Sequence, residues 1–141
     1  MTGTIVALWI SPGQHRPMTA LAAARAVEDV GLDGCAHARP RGRRQVLLVA
    51  KEVLDALGLA PGQIKENITT QGIDLQALAP GTLLQLGAEV VLEVTLPCEP
   101  CEQMEAIRPG LRRALAGRRG VLAKVRRGGE LRVGDSVAPR A

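Results

Sequence analysis

Three cysteines, two histidines and a set of arginines hold most of the chemistry this chain can offer. The strongest local signal is Cys98-Glu99-Pro100-Cys101. A C-x-x-C pair serves as a redox dithiol, as half of a zinc site, or as a thiolate ligand beside an incidental neighbour. Thioredoxin-type redox is disfavoured, because those motifs open a helix in an αβ layout and this one follows a hairpin strand. One pair also supplies only two of the four ligands that zinc needs, and two small residues packed in a barrel corner are the plain alternative. Gly34-Cys35-Ala36-His37 is the second cluster. Its thiol and imidazole, spaced i, i+2 in a loop, can converge on one point. Cys35, His37, Cys98 and Cys101 would make a three-Cys, one-His set suited to tetrahedral zinc. A surface His beside a buried small Cys is the simpler reading of that loop.

Polar residues elsewhere are less specific. Glu66-Asn67 followed by Thr69-Thr70 gathers hydrogen-bonding groups at a strand end, where Asn most often satisfies a turn. Arg43-Arg44-Gln45 stands just before an apolar run, either as a solvated edge or as an anion clamp. Arg112, Arg113, Arg118 and Arg119 surround a short helix and its exit and read as solvated charges.

The elements that must position these groups follow from periodicity and turn residues. Residues 4–10 are apolar and β-branched and end at Pro12-Gly13, which predicts an opening strand. Residues 18–30 are Ala-rich and helical on propensity. A turn over 31–34 and a polar loop over 35–44 follow. Residues 45–49 are a continuous apolar run, hence a buried strand, passing into a helix over 51–57 that Gly58 stops. Residues 66–70 predict a further strand, and Asp74 is placed to cap one helical turn through 78. Residues 82–86 and 89–95 form a hairpin about Gly87-Ala88. Short helices are expected over 102–107 and 111–116, the latter entered through Pro109-Gly110. Strands over 121–125 and 131–137 close the chain about Arg127-Gly128-Gly129. Many short strands with regular turn signals predict a mainly β, α+β fold: a β-barrel with short helical decorations, as one domain over 1–141.

Composition narrows the function. At 141 residues the folded surface should be roughly 7,000 Å², leaving enough burial for a core without staples. One Trp and no Tyr or Phe leave no aromatic platforms for base stacking, so single-stranded nucleic acid is an unsuitable partner. The net charge of +4 rests almost wholly on arginine, which grips oxyanions in two-point contacts. An odd number of cysteines points to a reducing cytoplasm. No apolar run approaches a membrane span, so no membrane partner is expected.

Taken in order, these segments resemble the MOSC domain, named for the C-terminal domain of molybdenum cofactor sulfurase. The similarity runs through Gly31-Leu32-Asp33-Gly34 with His37, Arg44-Gln45-Val46, Glu66-Asn67-Ile68-Thr69, Gly72-Ile73-Asp74-Leu75, Gly81, Gly87, Pro100-Cys101 and Gly129 to Asp135. The resemblance implies a barrel-like fold and assigns the family's Cys to Cys101 rather than Cys98. It implies that Cys101 ligates the metal of a molybdenum cofactor (molybdopterin) or carries sulfur as a persulfide. It further implies that His37, Arg44, Glu66, Asn67 and Thr69 line the pocket. A soft thiolate suits either task. The implied partners are a pterin cofactor or sulfur donor and a desulfurase or reductase chain. Pyridoxal phosphate belongs to a desulfurase domain that some relatives carry, and no Lys-centred site for it is expected here. The chain departs from the family's Gly-Asp-x-His in one respect: Cys35 stands at the Asp position. The alternative function is a structural or zinc-stabilised barrel without catalysis.

Overall fold

A computed structural model describes residues 1–140 of the chain. Eleven strands, three short α-helices and one 3₁₀ turn build it. Strand β1 (Gly3–Ile10) pairs antiparallel with β6 (Ile68–Gln71) on one side. β6 runs parallel to β5 (Val46–Ala50), and β5 pairs antiparallel with β9 (Val121–Arg127). From there the sheet continues through β8 (Val90–Pro97), β7 (Leu83–Leu86) and β11 (Ser136–Pro139). β11 then returns to β1, with Gly3 opposite Val137, and the sheet closes into a seven-stranded barrel. Closure leaves this ladder without a free edge.

The single parallel pairing requires a crossover, and α1 (Lys51–Ala56) lies within it. The apolar run ahead of α1 reads as continuous because both faces of β5 are covered. Val46 and Leu48 belong to the cluster filling the barrel, whereas Leu47 and Val49 pack outward beneath Leu54, Ile64 and Met104. This outer cluster seats α1 together with α2 (Gln103–Ile107) and α3 (Leu111–Ala114). The total accessible surface, 7110 Å², matches the area expected from chain length. Among the described residues no helix is long and apolar enough to cross a membrane.

Three local expectations are corrected. Residues 18–30 form no helix; they form β2 (Thr19–Leu21) and β3 (Ala23–Val27), and β4 (Gly31–Leu32) follows them. In β3, Ala24 and Ala26 point into the core and Arg25 points out, a two-residue period that cross-strand pairing selects over helical propensity. Residues 131–137 are not one strand. β10 (Gly129–Arg132) joins β3 and β4 in a second sheet, and only β11 enters the barrel. Asp74 makes no side-chain cap; its carbonyl accepts from the Ala77 N–H at the end of the 3₁₀ turn Leu75–Ala77.

Candidate functional site

β8 ends at Pro97, yet the Cys98 N–H still donates to the Gly120 carbonyl at 2.9 Å, so the Cys motif begins as a continuation of the β8–β9 ladder. That bond turns the Cys98 thiol into the outer apolar cluster, 8% exposed. Burial pushes this thiol up, against the opposing pull of Arg119 and Arg44. Three residues on, the chain leaves the sheet. The Cys101 carbonyl accepts from Met104 N–H as α2 begins, and the Cys101 side chain is exposed. Both thiols are free and both line one cavity of about 360 Å³.

Leu47, Met104 and Leu122 make one side of the cavity apolar, and the rest of its wall is polar. His37, Arg44, Lys65, Asn67 and Arg119 contribute to it, with Glu99 as its one acid. The Lys65 ammonium reaches away to donate to the Arg16 carbonyl at 2.7 Å. Arg119 is the exceptional member, being only 5% exposed. Its Nη2 donates to the Ile64 carbonyl at 2.7 Å, while Nε and Nη1 are buried with no partner. No carboxylate lies within ion-pair distance of it among the described residues. The expectation that Arg119 is a solvated charge is therefore corrected. Arg112, Arg113 and Arg118 are exposed as expected. The readable signal for Arg119 was its place immediately before Gly120 and an apolar strand, where a side chain has little room to leave the protein. Gly120 is fixed there by φ +122° and by the Leu48 carbonyl, which an added Cβ would approach to 2.2 Å.

Asn67 is completely buried and organises the wall. Its Oδ1 accepts from Leu47 N–H at 3.0 Å and lies 3.4 Å from His37 Nδ1. Its Nδ2 donates to the Trp9 carbonyl and to Cys35 Sγ. Cys35 Sγ also accepts from the backbone N–H groups of Ser11 and His37. Burial pushes the Cys35 thiol up, but the His37 imidazole and these N–H donors outweigh it and bring the pKa to about 7 from 9.0. His37 moves the opposite way: its bond to Cys35 raises it above 6.5 despite partial burial.

Glu66 and Thr69 stand apart from the cavity wall. Glu66 Oε2 accepts from Gly62 N–H and from Thr69 Oγ1, each at 2.8 Å, and Thr69 Oγ1 accepts from Trp9 Nε1. They form a buried network that holds Trp9 against the barrel. The four-ligand zinc set is not assembled either. Among the described residues no three His, Cys, Asp or Glu side chains converge to hold a metal ion. The physical reason is direct: Cys35 Sγ is committed to three N–H donors inside the wall while Cys101 faces solvent.

A model of the MOSC domain matches residues 37–138. No curated protein sequence matches the chain. Among solved structures, the YuaD protein from Bacillus subtilis superposes with a TM-score of 0.80 at 21% identity, covering 97% of this chain and 94% of its own. YiiM from Geobacillus stearothermophilus superposes at 0.76 with 17% identity, over 99% of this chain and 75% of that one. YiiM from Escherichia coli gives 0.72 with 16% identity, over 98% and 70% respectively. At these identities the likeness is one of fold.

Proposed function

This chain belongs to the MOSC domain family, which is associated with molybdenum-cofactor-related functions, and on that premise we propose that Cys101 is a sulfur-carrying thiolate that holds sulfane sulfur as a persulfide. One observation carries the reading: an exposed thiol opens onto a cavity whose wall contains a buried, uncompensated guanidinium. A cation without a partner in a low-dielectric wall costs several kcal/mol, a cost that a bound anion offsets. A persulfide ionises to an anion at the thiolate's own position, where Arg44 and Arg119 attract it. Such a carrier works between a sulfur donor and an acceptor, with a desulfurase or reductase chain as the protein partner.

The same residues fit a molybdenum cofactor, which supports a second reading. Cys101 would offer the soft thiolate that ligates molybdenum, and the orphaned Nε and Nη1 of Arg119 with Arg44 would hold the oxyanion tail of the pterin. When bound, the metal would supply oxygen-atom transfer, while this chain's residues bind and orient the group.

Intact-mass and metal analysis of the protein purified anaerobically without chelator separates the two. A gain of one sulfur atom, lost on reduction and absent in Cys101→Ser, is the expected result for the carrier. Stoichiometric molybdenum lost in the same variant selects the cofactor reading, and neither signal under any loading condition sinks both.

A further inference from the structure

We propose that the cavity takes anionic sulfane donors of the thiosulfonate class, with thiosulfate the smallest, and that Arg119 and Arg44 hold the oxyanion end while Cys101 takes the terminal sulfur. The inference rests on the carrier reading of Cys101 and adds the chemical class of its donor. Three features select the class. Arg119 lines the cavity and is 5% exposed, and its buried Nε and Nη1 have no hydrogen-bond partner, so a guanidinium of the cavity wall has two unsatisfied donors. A guanidinium fork matches two oxygens of a tetrahedral or trigonal oxyanion, which a neutral donor such as a trisulfide lacks. Leu47, Met104 and Leu122 supply an apolar wall beside the charged one, which accommodates an organic substituent on the sulfonyl group.

The reaction balances without a co-reactant. The Cys101 thiolate attacks the terminal sulfur of thiosulfate and forms a new S–S bond. The bond between that sulfur and the sulfonate sulfur breaks, and its electron pair leaves with sulfite. A monoanion and a dianion become a persulfide anion and the sulfite dianion, so charge is conserved and no proton or oxidant is required. Both reactants are negative, so the encounter is repulsive unless fixed cations lie close by. Negative charge also accumulates on the departing sulfite, which is where preorganised donors contribute most to rate.

The test incubates the full chain with thiosulfate and follows sulfite release and intact mass. A gain of one sulfur atom on Cys101 with equimolar sulfite is expected, absent in Cys101→Ser. Arg119→Gln should slow loading from thiosulfate at least tenfold. Because that variant sits in the wall and could disturb folding, Arg44→Gln, at an exposed position, provides a second reading and should slow it severalfold. Inorganic polysulfide, an anionic sulfane donor without an oxyanion group, should load the wild type and should be slowed severalfold less than thiosulfate by either arginine variant. An equal slowing with both donors overturns the oxyanion role of the arginines. Loading from polysulfide but not from thiosulfate overturns this inference and leaves the carrier reading standing. Equal thiosulfate loading in wild type and in correctly folded arginine variants also overturns it. No loading from either donor overturns both.

Discussion

Cys98 and Cys101 are the same residue type three positions apart, and their surroundings make them chemically unlike. Burial raises the Cys98 thiol, whereas Cys101 is open to solvent. Iodoacetamide should therefore label Cys101 at least tenfold faster than Cys98 at pH 7.5, measured by peptide mapping over time. Equal rates in Cys98→Ser and Cys101→Ser would remove that distinction. Cys35 offers a second titration. Its thiolate should appear near 240 nm with a midpoint of about 7, a step that Cys35→Ser abolishes. The sign is set by the depressed pKa: the contribution of this thiolate to stability is complete above pH 9 and is lost as pH falls through about 7. The raised His37 runs the other way, complete below pH 6.5 and lost as pH climbs through its folded value. Because Cys35 is the main cause of the His37 shift, Cys35→Ser should lower the His37 pKa measured from its imidazole NMR signals; an unchanged value would separate the two groups. At this scale the motifs that resemble the MOSC domain, rather than residue type and spacing, brought together Cys101, His37, Arg44 and Asn67, all of which line the cavity. They did not separate Glu66 and Thr69 from it, because that division depends on which face of the 66–70 segment meets Trp9.

Elements were legible where a local period coincided with the tertiary one. The run at β5 and the stop at Gly58 needed nothing beyond their neighbours. β3 was not legible as a strand, because alanine carries little face preference, and the pairing that decides it comes from β10, a hundred residues away. Arg119 is not legible as a buried residue for a related reason: a basic residue after a short helix looks solvated until the fold brings the Ile64 carbonyl to its Nη2. The glycines flanking this segment allow a test at the element scale. Gly117 has φ +78° with open space where a Cβ would stand, so Gly117→Ala should cost about 1 kcal/mol from backbone conformation alone. Gly120→Ala adds contact with the Leu48 carbonyl and should cost about 2–4 kcal/mol by urea denaturation. Equal costs would mean that the β5–β9 seam relaxes around the methyl group.

For the molecule as a whole, barrel closure was expected from the density of short strands, but the identity of the closing pair was not. Strand count says nothing about which strands meet across the longest sequence separation, and here β1 meets β11. Removing residues 134–141 should expose unpaired backbone on both β1 and β7, which β11 bridges. The truncated chain should lose cooperative thermal unfolding and self-associate on size exclusion. A monomer with an unchanged transition would show that the remaining six strands close without it.

The same pairing sets Gly3 opposite Val137 in adjacent strands. Strand neighbours are about 5 Å apart, so a linker of a few residues can join the two ends without disturbing either strand. The order in which the strands are synthesised then becomes separable from the order in which they pair. A circular permutant opened at the turn between Leu86 and Val90 would keep every ladder of the barrel. It would make the β1–β11 pairing local and the β7–β8 pairing the most distant in sequence, so the cost of closing the barrel passes from one ladder to the other. The cavity wall lies elsewhere in the chain, so the permutant would carry Cys101 and Arg119 unchanged.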